Sequence, residues 1–287
     1  RVLFRSVRLT VEETVEGHRL GPGDLDLAGA HTLITLGDPY TLPPDVLLEG
    51  LADRGPSTRV VGGLASAGTR PGMNRLVLDD RVHLDGAVAV AIGGGSPIGT
   101  VVSQGCRPIG EPFTVTAAHG QFIETLGGRP ALDRLQETAA AASEAERDLL
   151  RRGVHVGLAV DEQRDELGRG DFLIRTVISA DRETGALAVG ARVEVGTTVR
   201  FQVRDAGSAE EDLGALLADA HGAAALLFTC NGRGLHLFGT PDHDALAIQG
   251  ALGPLPLAGM ACAGELGPVG PANHLHGFTA SVALFPA

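Results

Sequence analysis

At 287 residues, 44% hydrophobic and 3% aromatic with no Trp, the chain is long enough for one large domain or two small ones packed mainly with Val, Leu, Ile and Ala. Its net charge of −12, with 23 scattered basic residues against 35 acidic ones, excludes a nucleic-acid surface of clustered cations and leaves small ligands or proteins as partners. Every basic residue is Arg, which rules out a Walker-type phosphate lysine, a Schiff-base lysine and a Ser-Lys dyad.

Residues 1–6 (RVLFRS) lack an initiator Met and match what a common sequencing adapter would encode in frame, so they are expected to be an assembly artefact, with the natural protein extending upstream. Ser6–Thr14 is β-like, His31–Leu36 reads as a buried strand, and residues 44–54 place Val46, Leu47 and Leu51 on one helical face. Val60–Val61 leads into a Gly-rich loop reaching Gly72. Strands follow at Arg75–Leu78 and Ala87–Ile92, with Asp79-Asp80 as a hairpin turn, and Gly93–Pro97 breaks the sheet before strands at Thr100–Gln104 and Phe113–Ala118. Arg129–Arg152, rich in Ala, Glu, Arg and Leu, predicts the longest helix. Val154–Val160, Asp171–Ser179, Leu187–Val189 and Thr198–Val203 predict an antiparallel meander. Ser208–His221 predicts a helix capped by Ser208 with Leu213, Leu216 and Leu217 inward, and Ala223–Thr229 and Gly277–Phe285 are strand-like. The fold class is α/β of the mixed α+β kind: two related halves with mixed or antiparallel sheets and flanking helices.

Two segments carry the internal relation. Val60–Gly68 (VVGGLASAG) and Pro256–Gly264 (PLAGMACAG) align Gly63, Ala65, Ala67 and Gly68 with Gly259, Ala261, Ala263 and Gly264, each behind an apolar strand and a Gly-containing turn. The second copy holds more chemistry. Its turn, Cys230-Asn231-Gly232-Arg233-Gly234, displays an Arg between glycines, suited to chelating a carboxylate or phosphate, or else is an Asn-Gly turn with a solvated Arg. Its Gly-rich segment continues through Cys262 and Gly264 into Glu265, an isolated acid that needs a partner: Arg233 as a structural ion pair, or a ligand's ammonium group. Together Arg233 and Glu265 would match a zwitterion. Cys106-Arg107 ends a strand where a thiol and an Arg can enter one cavity, and His274 and His276 share a face of an extended segment, compatible with a metal but more economically read as structural.

Three well-separated cysteines without a CxxC pair argue against a secreted disulfide framework, no apolar run of about 18 residues predicts a membrane span, and there is no basic-then-apolar leader. The expected compartment is the cytoplasm. No Gly cluster follows the dinucleotide pattern of strand, GxGxxG and helix, and no Ser sits in GxSxG.

With LGDPY, RVVGGLASAG, FLIRTVISAD, LLFTCNGRG, PLAGMACAGELGPVG and LHGFTASVALF in order, the chain resembles the FIST sensory family. The resemblance implies a FIST N-terminal-like domain over 7–118, incomplete at its start, and a C-terminal-like domain over 119–287. It implies ligand sensing rather than catalysis, with amino acids among the ligands, and a separate signalling protein as partner, without nucleic acid or membrane. Of the expected ligand-binding residues, Arg233, Glu265, Asn231, Cys230, Cys262 and Gly264 occupy the family's motifs, with their ligand roles read from their chemistry, and Cys106, Arg107 and His276 are added from the residues alone. Two alternatives stay open: a haem-based nitric-oxide sensor, with His276, His274 or a Cys as axial ligand, and an enzyme using Cys230 or Cys262 as nucleophile.

Overall fold

In the computed structural model, which describes residues 3–15, 17–23, 25–164 and 167–287, the chain forms two units. One runs up to Ser103 and resumes at Asp212, and the other is Gln104–Glu211. The first unit opens with β1 (Leu3–Thr14), β2 (Gly17–Gly21), β3 (Ala30–Gly37), α1 (Pro44–Arg54), β4 (Arg59–Ala65), the small hairpin β5 (Leu76–Leu78) and β6 (Arg81–His83), β7 (Ala87–Gly93) and β8 (Gly99–Gln104). Asp79 forms the β5/β6 turn with positive φ, as its position in the sequence predicts. Leu3, Phe4, Arg5 and Ser6 pair with Gly93, Ile92, Ala91 and Val90. Residues 3–6 thus pair within the sheet as part of β1. Residues 1 and 2 lie outside the described residues.

The second unit contains β9 (Cys106–Pro108), β10 (Phe113–His119), β11 (Phe122–Leu126), β12 (Arg129–Pro130), α2 (Ala131–Ala141), α3 (Glu144–Arg152), β13 (His155–Ala159), β14 (Phe172–Ala180), β15 (Leu187–Val189) and β16 (Thr198–Arg204). The expected meander is only partly formed: β16 returns to pair with β13, and with β10 on its other edge. That closes the ring β10-β11-β15-β14-β13-β16, a six-stranded barrel filled by Val115, Ile123, Val156, Leu187, Val199 and Phe201. Closure removes the unpaired edges an open meander would expose. The single helix expected over 129–152 is two, because Ser143 adopts an extended conformation and forms a capping box with Glu146. The Ser-x-x-Glu signal was present, hidden by a composition uniformly favourable to helix.

α4 (Ala206–Ala218) starts just after β16 and ends before His221. Asp205 rather than Ser208 caps it, accepting from the Ser208 hydroxyl at 3.0 Å. Leu213 and Leu217 are buried in the first unit's core, while Leu216, expected inward, is 42% exposed.

The first unit then finishes with β17 (Ala224–Cys230), α5 (Leu235–Phe238), α6 (His243–Leu252), β18 (Leu257–Val269), β19 (Ala272–His276) and β20 (Thr279–Phe285). Its sheet has the order β2-β1-β7-β3-β4-β18-β17-β20-β8, with β19 paired to β18. β3 and β4 are parallel across α1 with β7 antiparallel on β3, and β17 and β18 are parallel across α5 and α6 with β20 antiparallel on β17. The two copies meet antiparallel at the sheet's centre, Ala65 opposite Cys262. The duplication is therefore structural, and the expected Gly-rich loops are central strands. Their glycines admit neighbouring backbone. A Cβ on Gly62 would run into the Thr35 carbonyl, and one on Gly259 into the Leu227 carbonyl. Because Thr35 pairs with Gly62 as Leu227 pairs with Gly259, the structural equivalent of Gly259 is Gly62, one residue from the sequence alignment.

Candidate functional site

The two copies diverge beyond the first strand of each parallel pair. After β3 the chain closes on Asp38, whose buried carboxylate accepts from Thr41 Oγ1 at 2.7 Å, the Tyr40 N–H at 3.2 Å and Asn74 Nδ2 at 2.7 Å. Asn74 Oδ1 in turn accepts from the Gly68 N–H at 2.8 Å. With its polar groups mutually satisfied, this turn leads straight into α1, which packs Leu47 and Leu51 into the core. After β17, by contrast, the longer crossover 231–256 inserts α5 before α6, and a cavity of about 760 Å³ lies between that crossover and the β17/β18 strands. Asn231, Cys230 and Arg233 line it, with Leu257–Ala261 as one wall.

Gly234 has φ 55°, a conformation suited to glycine, and it directs the chain into α5 just after Arg233. The Arg233 side chain turns inward. Its Nε and Nη2 donate to Asp244 Oδ2 and Oδ1 at 2.8 and 2.7 Å, both side chains almost wholly buried, and the guanidinium lies 5.1 Å over the Phe238 ring. Thr229 Oγ1 donates a further 2.5 Å hydrogen bond to Asp244. Burial opposes ionisation of Asp244, but the hydrogen bonds and charge of Arg233 outweigh it and hold the carboxyl below its ordinary range. This fork fastens the first turn of α6 to the turn after β17. Sequence reasoning missed Asp244: an acid in the first turn of a helix ordinarily complements the helix dipole, and nothing local ties it to an Arg eleven residues earlier.

Arg233 is therefore not ion-paired with Glu265, the structural alternative weighed above. Glu265 is fully buried on β18, with Oε2 accepting from the Thr279 N–H and Oγ1 at 3.2 and 2.8 Å. Burial pushes its pKa up to about 8, against the lowering effects of Thr279, the Arg233 charge and the Cys230 thiol, so the carboxyl is largely protonated at neutral pH. Unfolding releases this proton, because the unfolded carboxyl titrates near 4.5. The native state binds more protons between those values, and stability is expected to fall as pH rises from about 4.5 to 8. Glu265→Gln should flatten that part of a denaturant-midpoint profile against pH; an unchanged slope would assign it to another group.

Cys230 and Cys262 are register partners on β17 and β18, both buried. Burial first, then Glu265 and Cys230, push the Cys262 thiol far above its ordinary range, the reverse of an activated nucleophile. Gly264 lies beside them on β18. His276 faces Glu265 across the β18/β19 ladder, its Nε2 at 3.0 Å from the Gly267 carbonyl, and its ring meets that of His274 edge-on. The structure thus gathers Arg233, Glu265, Asn231, Cys230, Cys262, Gly264 and His276 in the first unit. Cys106 and Arg107 lie on β9 in the second, where Arg107 donates to Asp205 at 2.7 Å and Glu146 at 3.1 Å. Of the axial ligands considered for a haem, Cys230 lines the cavity and His274 and His276 do not, while His236 and His243 line it as well. No helix among the described residues is long and apolar enough to cross a membrane.

Comparison with known proteins matches residues 4–129 to the FIST N domain and 131–268 to the FIST C domain. The first match begins within the segment expected to be foreign. "Uncharacterized protein Rv0628c" of Mycobacterium tuberculosis strain H37Rv is 51% identical over 265 residues, covering 89% of this chain and 68% of that protein. "Uncharacterized protein Mb0898c" of Mycobacterium bovis is 48% identical over 260 residues, covering 88% and 67%.

Proposed function

Because this chain belongs to the FIST family, whose domains serve in sensing and signal transduction, we propose that it binds a small polar, amino-acid-like ligand in the cavity of its second copy and relays binding to a separate signalling protein. The observation that carries this is the contrast between copies. The first copy closes its turn with Asp38 and Asn74, whereas the second carries an inserted α5 beside an open cavity. Asn231 and Cys230 present polar atoms to the ligand. Arg233, pinned by Asp244, acts by holding α5 and α6 in place, and Glu265, Cys262, Gly264 and His276 form the buried layer near it. The burial-raised Cys262 thiol favours binding over thiol catalysis.

A thermal-shift screen against amino acids and related carboxylates tests this. A ligand at 100 times its Kd should add about 2.7 kcal/mol of stability, and the shift should vanish in Ala261→Phe, which fills the cavity from the sheet face that Ala261 shares with its register partner Thr229. A shift that survives Ala261→Phe would move the site elsewhere, and no shift with any solute at millimolar concentration would overturn the reading.

A further inference from the structure

The cavity wall formed by β18 is a strand edge. The Ala225 N–H donates to the Pro256 carbonyl at 2.9 Å and the Asn231 N–H to the Cys262 carbonyl at 2.8 Å, so residues 256 and 262 direct their main-chain groups at β17. Strand alternation then points the main-chain groups of Leu257, Gly259 and Ala261 away from β17. Ser66 Oγ confirms the direction, donating to the Ala261 carbonyl at 2.7 Å from the other side. β4 ends at Ala65, opposite Cys262, and among the described residues no strand pairs with Leu257–Met260 on that side.

The first copy shows how the same edge is satisfied. Gly62, the equivalent of Gly259, pairs with Leu266 of β18. One step back, the Val60 N–H donates to Asn273 Oδ1 at 2.8 Å while Asn273 Nδ2 donates to the Thr58 carbonyl at 2.8 Å. A carboxamide there bridges the N–H of one residue and the carbonyl two residues earlier. In the second copy the Gly259 N–H and the Leu257 carbonyl form a pair of the same spacing, two residues further along the strand, both residues line the cavity, and Gly259 is exposed with no side chain to block approach.

We propose that this edge binds a short extended peptide, its amide carbonyl accepting from the Gly259 N–H and its amide N–H donating to the Leu257 carbonyl, as an added strand. The inference deepens the sensor reading and rests on it. It selects a peptide over a free amino acid without a side-chain carboxamide, which has no amide to span the pair, and the cavity of about 760 Å³ has room for two or three residues.

The test uses the full chain, trialanine, trialanine methylated at its amide nitrogens, alanine and glutamine, read by thermal shift and residue-resolved amide exchange. Trialanine at saturation is expected to raise the melting temperature and slow exchange of the Gly259 amide about tenfold or more, leaving the Ala258 and Met260 amides, which face β17, unchanged. The methylated peptide should do neither. Trialanine binding without Gly259 protection overturns the proposal, as does protection by glutamine but not trialanine. Alanine shifting the melting temperature with Gly259 unaffected would remove the edge proposal and leave the sensor reading standing; no shift by any of the amino acids, carboxylates or peptides would remove both.

Discussion

Asp244→Ala is expected to destabilise the protein by roughly 3–5 kcal/mol, because it leaves the Arg233 guanidinium buried without its counter-charge. Arg233→Ala should be similarly severe, since it strands a carboxylate that keeps only the hydroxyl of Thr229 and its neighbour His243. The double change Arg233→Met with Asp244→Leu is the discriminating one. It removes both charges and keeps much of the volume, so its loss should be well below the sum of the single losses. Urea unfolding of the four proteins measures this directly, and additive losses would show that the two side chains do not act as a unit. The contribution is also tied to pH. Asp244 titrates below its unfolded value of 3.8, so its stabilisation is present above that value and is lost as pH falls through the lower folded one. Since the pair anchors α6 to the turn after β17, either single variant should also weaken any ligand that stabilises the wild type.

Gly62→Ala and Gly259→Ala form the second large prediction, each expected to lose more than about 4 kcal/mol or to abolish folding. In both cases the new methyl would meet a carbonyl of the neighbouring strand, Thr35 or Leu227, which can move aside only by breaking a central ladder. Gly62 adds a backbone term, since its φ of 154° is one that L residues rarely adopt. Gly250→Ala, on α6 with open space around its Cβ, is the control and should be neutral or stabilising. Soluble expression and chemical denaturation decide the matter. A Gly62→Ala protein within about 1 kcal/mol of wild type would mean that β3 and β4 can separate locally at little cost.

Several features were legible from local chemistry. The apolar run HTLITL and the alternation of the final segment marked β3 and β20, the Asp79-Asp80 dipeptide marked the β5/β6 turn, and the recurrence of Gly and Ala marked a duplication that the sheet confirms. The order of motifs along the chain also identified the family before any coordinates. The Gly-rich runs were misread as loops because glycine signals a turn when only chain neighbours are considered. In β4 and β18 it serves backbone packing between strands, which depends on residues about 27 to 32 positions away, beyond any local window.

What the sequence determined by itself is the material of the fold: which stretches alternate, which chemistry lysine's absence forbids, and which turn carries an Arg between glycines. Tertiary structure decided the partners. Arg233 meets Asp244 because α6 returns over β17; Glu265 keeps its proton because β18 carries it into the centre of the sheet. Closure of the barrel through β16 and β10, and the unpaired edge of β18, likewise depend on which strand ends come together. Propensity and periodicity act over a few neighbouring residues, whereas pairing, desolvation and edge exposure are set by distances that exist only once the chain has folded.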